Sequence, residues 1–215
     1  MNMNYNEFSS EFNATRQNLW PELLEFEKYI KDGQKILDLG CGNGRLVNLL
    51  KNYDIQYVGS DISSDLLNYA KKQDFGKIKN FQFIESDMLD LELPDDNFDI
   101  IFLIASYHHL RTKLQRIEIL LKMKKWLKKD GLIIMTNWNL FQKKYIKYIF
   151  NPEKQSWNDF LIPWKDKKGS VVANRFYHGF MLKELKKLAK NHGFNVLKNA
   201  YSNSKRNIIT ILSKN

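Results

Sequence analysis

The chain has 215 residues, a formal net charge of +10 at pH 7 and a single cysteine, Cys41. That length suits one domain spanning 1–215 with a substantial core, while one cysteine excludes an intramolecular disulfide and a zinc site built from several cysteines. No apolar run approaches the roughly 20 residues of a membrane span, and the polar start MNMNYNEFSSEF lacks the basic and apolar regions of a signal peptide, so the expectation is a soluble, cytoplasmic protein with no membrane partner and no metal.

The charge suits a polyanion, although a lysine-rich chain with abundant Asn and Ile is equally the mark of a compositional bias. Of the 34 basic residues only six are arginine, at 16, 45, 111, 116, 175 and 206. Each arginine is therefore more telling than each lysine.

In chain order, residues 1–33 read as an N-terminal helical cap. WPELLEFEKYIKDG carries Pro21 at a first helical turn and Gly33 as a stop. Seven short runs rich in β-branched and aromatic residues follow as strands: KILDLG (35–40), QYVGSD (56–61), FQFIES (81–86), FDIIFLIAS (98–106), GLIIMTNW (131–138), GFNVLKN (193–199) and NIITILS (207–213). Helices are expected over 44–52, 64–73 and 111–128, and an acidic loop, LDLELPDDN, joins the third and fourth strands. Strands alternating with helices predict an α/β fold, a mostly parallel sheet with helices on both faces. The last two runs are too close for a parallel crossover, so an antiparallel C-terminal hairpin is expected. Residues 140–180 break the rhythm and read as a substrate-side insertion.

ILDLGCGNGRL (36–46) is a strand entering a glycine loop that opens a helix. Its glycines allow a sharp turn and close backbone approach to a ligand. The spacing is G-x-G-x-G, not the dinucleotide pattern, and Asp38 stands just before it, which favours a cationic or zwitterionic ligand over a pyrophosphate. Asp61 closes the second strand, where an acid can accept both hydroxyls of a ribose. Asp87 follows the third, placed to receive an exocyclic amine. All three sit along the C-terminal edge of one sheet, where open α/β sheets bind ligands.

DLGCGNG, GSDIS and ESDMLDLELP resemble the class I S-adenosylmethionine-dependent methyltransferases. The resemblance implies a seven-stranded Rossmann-like sheet with a reversed final hairpin, and S-adenosyl-L-methionine as cofactor. It puts Asp38, Gly40, Cys41, Gly42, Asn43 and Gly44 near the methionine part, Asp61 with Ile62 at the ribose, and Asp87 with Met88 at the adenine, Ile104 flanking. Cys41 reads as a small packed loop residue with no catalytic role.

Three further stretches, FNATRQNLWPEL, LIASYHHL and DFLIPWKDK…NRFYHGF…EL, are similar to the tRNA wobble-uridine methyltransferases that esterify 5-carboxymethyluridine, from about Tyr5 to the helix after Phe180. Departures are Asn6 for an aspartate, Phe8-Ser9 for an Ile-Ala pair, and Phe176 for a tyrosine. The resemblance implies tRNA as substrate and a small zinc-binding activator subunit as partner. Arg16, His108, His109, Arg175, Tyr177 and His178 are then the acceptor-side set, with Trp20, Tyr107, Trp138 and Phe176 offering further stacking faces. Lysine groups in KMKKWLKKDG, QKKYIKY and KDKKG offer a polyanion footprint, the first reading equally well as a solvated helix face. Competing readings are a small-molecule O- or N-methyltransferase and a non-catalytic cofactor-binding subunit.

Overall fold

The computed structural model describes residues 9–16, 18–150, 156–165 and 169–214. Tyr5, Asn6 and Phe8 of the expected cap, and Asp166, Lys167 and Lys168 of the third lysine group, lie outside the described residues.

A seven-stranded sheet runs in the order β3-β2-β1-β4-β5-β9-β8. Its strands are β1 (Lys35–Leu39), β2 (Gln56–Asp61), β3 (Asn80–Glu85), β4 (Phe98–Ile104), β5 (Leu127–Trp138), β8 (Phe194–Tyr201) and β9 (Asn207–Lys214). The first five are parallel, while β9 runs antiparallel to both β5 and β8. The expected α/β sheet and reversed final hairpin are therefore present.

Period-2 alternation divides the core between the two faces. Leu37, Ile101, Leu103, Ile133 and Leu212 pack with Ile119, Met123 and Trp126 of helix α4 (Lys113–Trp126) and Leu185 and Leu188 of α5 (Leu182–Asn191). Ile36, Ile100, Phe102, Ile134 and Ile211 pack with Leu23 and Phe26 of the N-terminal segment. At 25–30 cal/mol per Å² of apolar surface removed from water, these two layers dominate the stability.

Local corrections have local causes. The helix expected after Trp20 is a 3₁₀ helix, Pro21–Tyr29. That expected over 44–52 shrinks to α2 (Val47–Leu50), because the chain leaves the glycine loop through i→i+3 bonds such as Val47 N–H to the Gly44 carbonyl, 2.9 Å. The expected 64–73 and 111–128 helices are α3 (Ser64–Ala70), capped by Ser63, and α4, capped by Thr112 with Gln115 in a reciprocal capping box. Within the expected N-terminal cap a short helix, α1 (Ser9–Thr15), leads to Arg16.

The insertion contains a separate antiparallel hairpin, β6 (Asp159–Lys165) and β7 (Val171–His178), with Ile162 opposite Arg175 and Phe160 opposite Tyr177. Its own small core joins Phe160, Ile162 and Tyr177 to Leu140. Among the described residues no helix is long and apolar enough to cross a membrane.

Candidate active site

β1 delivers Asp38 to the sheet edge almost wholly buried, where it accepts a hydrogen bond from the Tyr57 hydroxyl at 3.0 Å. Burial pushes its carboxyl up to about 7, partly opposed by that bond and by Arg45. The chain then turns with Gly40 at φ +76°, and the Gly40 and Cys41 N–H groups both donate to the Ser60 carbonyl, at 2.7 and 2.9 Å. Glycine is required at 40: a Cβ there would lie 2.6 Å from Ser106 Cβ. Asp61 accepts from the Gly42 N–H at 2.8 Å and the Ser63 N–H at 3.0 Å, so this carboxylate fixes the glycine loop while facing the same space. Asp87 accepts from the Leu89 N–H at 3.0 Å, which turns the chain so that Met88 follows at the cavity wall.

The opposite end begins where β4 stops. Ala105 takes φ +55°, and a 3₁₀ turn, Tyr107–His109, places two histidines edge to face. Their tautomers are fixed oppositely. His108 Nδ1 accepts from the Trp138 N–H at 3.1 Å, so Nε2 carries the proton, and that buried N–H has no hydrogen-bond partner. His109 Nδ1 instead donates to the Phe176 carbonyl at 3.1 Å. Burial holds both rings neutral, with the Arg175 charge adding to it: His109 is brought down to about 4, and His108 falls well below its ordinary range despite an opposing pull from the Ala105 carbonyl.

β7 contributes Arg175 and Tyr177 to this end. The Tyr177 ring lies 5.0 Å from Trp138 in a stacked arrangement, 5.0 Å from His108 and 4.6 Å from His109. The Arg175 guanidinium sits 4.3 Å from the Trp164 ring centre, 5.3 Å from Tyr177 and 5.8 Å from Trp138, and its Nε is buried without a hydrogen-bond partner. Arg16, leaving α1, lies over Phe12 and Trp164 at 4.3 and 5.3 Å.

Both ends line one cavity of about 260 Å³. It brings together Asp38, Gly40, Cys41, Gly42, Asn43, Asp61, Ile62, Asp87, Met88 and Ile104 with Arg16, His108, His109, Arg175 and Tyr177. Gly44 does not line it: this residue closes against α3, where a Cβ would meet Ala70 at 3.0 Å. Asn43 reaches the wall, but its amide donates to Asn13 Oδ1 and the Arg16 carbonyl, tying α1 over the loop. His178, grouped with Arg175 and Tyr177 by the sequence, is not in the cavity. Next along the strand, it projects to the other face and binds Asp159 and Glu184.

Two arginines that sequence reasoning passed over also line the cavity. Arg45 lies 4.1 Å over Trp20, its pKa drawn down to about 10 by burial and by Arg16. Arg111 lies 5.1 Å from the Phe176 ring. Four of the six arginines thus converge here, with no lysine among the described lining residues. Their scarcity was the available signal, and it applied to all six.

The lysine groups divide. Lys122 donates to the Leu89 and Leu91 carbonyls and pairs with Glu92, and Lys128 pairs with Asp99, so these members of the first group brace the acidic loop and the sheet. Lys143, Lys144 and Lys147 of the second are exposed beside Tyr145, which stacks on Trp138.

The donor end fits S-adenosylmethionine on this geometry. A backbone cradle that a Cβ would fill and a buried carboxylate suited to an ammonium adjoin two further acids and apolar walls. Residues 30–193 match a family described as a methyltransferase domain. The chain is 30% identical over 139 residues to the tRNA (carboxymethyluridine(34)-5-O)-methyltransferase ALKBH8 of Mus musculus, covering 65% of this chain and 20% of that one. It is 26% identical over 215 residues to the tRNA (carboxymethyluridine(34)-5-O)-methyltransferase of Schizosaccharomyces pombe, covering 92% and 89%. A crystal structure of a Pyrococcus horikoshii protein shares the fold with TM-score 0.74 at 24% identity, covering 98% and 95%.

Proposed function

The chain belongs to the methyltransferase-domain family, with S-adenosylmethionine as its cofactor, and we propose that it methylates the carboxylate of a carboxymethylated wobble uridine in tRNA. The observation that carries this reading is the clustering of Arg16, Arg111 and Arg175 at a cavity whose other end is acidic, with Arg45 between Arg16 and Asp38. The names borne by the mouse and fission-yeast relatives supply the nucleoside.

Asp38 and the loop from Gly40 would hold the amino-acid part of the cofactor, Asp61 the ribose, and Asp87 with Met88 the adenine. When bound, the cofactor supplies an electrophilic methyl group on a cationic sulfur. A carboxylate acceptor is already ionised at neutral pH, so no strong base is required; two neutral histidines suit that chemistry better than imidazolium would.

Placement and exclusion of water then supply the rate. The Arg175 fork orients the carboxylate, and the unpaired His108 Nε2–H donates to one of its oxygens, leaving the other free to attack. Trp138 and Tyr177 provide the face on which an extruded uracil stacks. Lys143, Lys144 and Lys147 add phosphate contacts beside the entrance. The zinc-binding activator implied by the sequence resemblance belongs to the same proposal; full activity of the purified chain alone would remove it.

The test is incubation with labelled cofactor and tRNA carrying carboxymethyluridine, followed by mass spectrometry of the nucleosides. A methyl ester at that nucleoside is the expected product. Transfer to a small acid with none to tRNA would overturn the reading.

A further inference from the structure

DFLIPW, NRFYHGF and the Glu-Leu pair of α5, all within residues 159–185, meet in one buried polar cluster beneath the hairpin. At its centre His178, 3% exposed, stands between two carboxylates. Nδ1 is 2.8 Å from Asp159 Oδ1 on β6, and Nε2 is 2.7 Å from Glu184 Oε1 on α5. Asp159 is 1% exposed, and its other oxygen accepts from the Ser156 N–H at 2.8 Å. The Asn158 amide donates to the Gly179 carbonyl at 3.2 Å, and Arg116 on α4 donates to the Leu110 carbonyl at 2.8 Å while its charge is felt by both acids. Among the described residues no group of acids and histidines is placed to hold a metal ion, so the trio must satisfy itself.

We propose that His178 is a positioning residue: an imidazolium clamp between Asp159 and Glu184 that fixes the β6–β7 hairpin to α5 and so aims Arg175 and Tyr177 into the cavity. The reasoning is a proton count. A neutral ring donates one N–H. With that proton on Nδ1 for Asp159, the Nε2 lone pair would face a carboxylate oxygen at 2.7 Å, which is repulsive. The Asn158 amide nitrogen, 3.2 Å from Nε2, does not relieve that closer contact. With both acids ionised, only the doubly protonated ring serves both.

The charge balance agrees. Arg116 and an imidazolium offset two carboxylates, whereas a neutral ring would leave a net buried negative charge. Burial disfavours the imidazolium and Arg116 repels it, but the bonds to Asp159 and Glu184 outweigh both and hold the ring above its ordinary range. His108 is the remaining titratable group whose charge couples to it. Since the folded-state value is raised, the clamp is fully formed below the ordinary histidine range and is lost as pH rises through the raised value. The hairpin meets the acceptor end through the Phe176 carbonyl on His109 and the Tyr177 ring against both histidines, so loosening the clamp should damage acceptor placement and spare cofactor binding.

The functional consequence rests on the acceptor assignment above, whereas the charge state does not. Nitrogen-15 NMR of histidine-labelled, ligand-free protein should show His178 as imidazolium at neutral pH, titrating above His108 and His109; a neutral tautomer there would overturn the proposal. In the wild type, kcat/KM for tRNA should fall toward about tenfold per pH unit above that measured value while cofactor Kd stays flat. Glu184→Gln lets a neutral ring accept from the new amide at Nε2 while donating to Asp159. The variant should keep activity at alkaline pH and lose the alkaline decline, with His178 titrating lower. An alkaline decline that persists in E184Q, or a cofactor Kd that tracks it, would also overturn the clamp. If no tRNA is methylated at all, the acceptor reading fails while the NMR result still decides the clamp.

Discussion

Replacing Arg175 by methionine should make the free protein more stable and the enzyme much worse. Arg175 is 9% exposed, and among the described residues no carboxylate pairs with it. Rings at 4.3, 5.3 and 5.8 Å compensate the charge, each worth about 0.5–2 kcal/mol. The cost of burying an unpaired ion is several kcal/mol. Methionine fills a comparable length without a charge, so we expect a gain of about 1 kcal/mol, or roughly 2–4 °C in Tm for a chain of this size. Against an anionic acceptor, removing one partner of a desolvated pair costs about 2–5 kcal/mol, or about 30-fold to several thousandfold in kcat/KM. Calorimetric unfolding without ligands, initial rates of tRNA methylation and cofactor titration read the three quantities separately. The reasoning is refuted if the variant loses stability and its activity falls only in step with its folded fraction, because Arg175 would then be holding the hairpin and not waiting for a ligand.

The remaining predictions concern the donor end. Asp38 is raised from 3.8 to about 7 chiefly by burial. The folded protein therefore keeps a proton that the unfolded chain loses between those values, and stability of the free protein should fall as pH rises across that window. A cofactor ammonium needs the ionised carboxylate, so affinity should weaken toward about tenfold per unit below pH 7; calorimetric Kd values that do not change with pH would contradict this. Asp61→Ala should loosen both the cofactor and the Gly42 turn, raising cofactor Kd even without tRNA, and an unchanged Kd would remove Asp61 from the site. Gly40→Ala combines a φ of +76° with a Cβ 2.6 Å from Ser106, for a loss of about 2–4 kcal/mol. Adding Ser106→Gly should restore only the steric share of the lost Tm, and full restoration would mean that the left-handed backbone carries no strain.

Strand order along the chain, the reversed final pair and the donor-end acids were legible because each is a local pattern: alternation, a short interval between the last two runs, a carboxylate at a strand end. The hairpin inside the insertion was not. LIPWKDKKGSVVANRFYH carries no clean alternation, since β6 and β7 bury Phe160, Ile162 and Tyr177 against Leu140 on one side and polar groups such as His178 on the other. For the same reason His178 was grouped with Arg175: adjacency in sequence suggested one site, whereas strand geometry sends neighbours to opposite faces. Arg45 escaped notice because it directly follows the glycine loop and reads there as helix surface. Only the fold brings Trp20 beneath its guanidinium, 4.1 Å away.

The distribution of charge within the cavity narrows the chemistry further than the fold does. Asp38, Asp61 and Asp87 gather around the glycine loop, while Arg16, Arg111, Arg175 and two neutral histidines surround the other end, and Arg45 stands between, coupled to both Asp38 and Arg16. A cationic cofactor and an anionic acceptor are each favoured only in one orientation, so the electrostatics set the order of the two groups before any contact is made. An amine acceptor, protonated at neutral pH, would meet Arg175 in a dry environment where like charges repel strongly, and would need a base that neither histidine is free to be: His108 Nδ1 is engaged by the Trp138 N–H, and His109 titrates near 4. A carboxylate meets neither obstacle. Among methyl transfers this site could perform, esterification is the one that uses its arginines and leaves its histidines neutral.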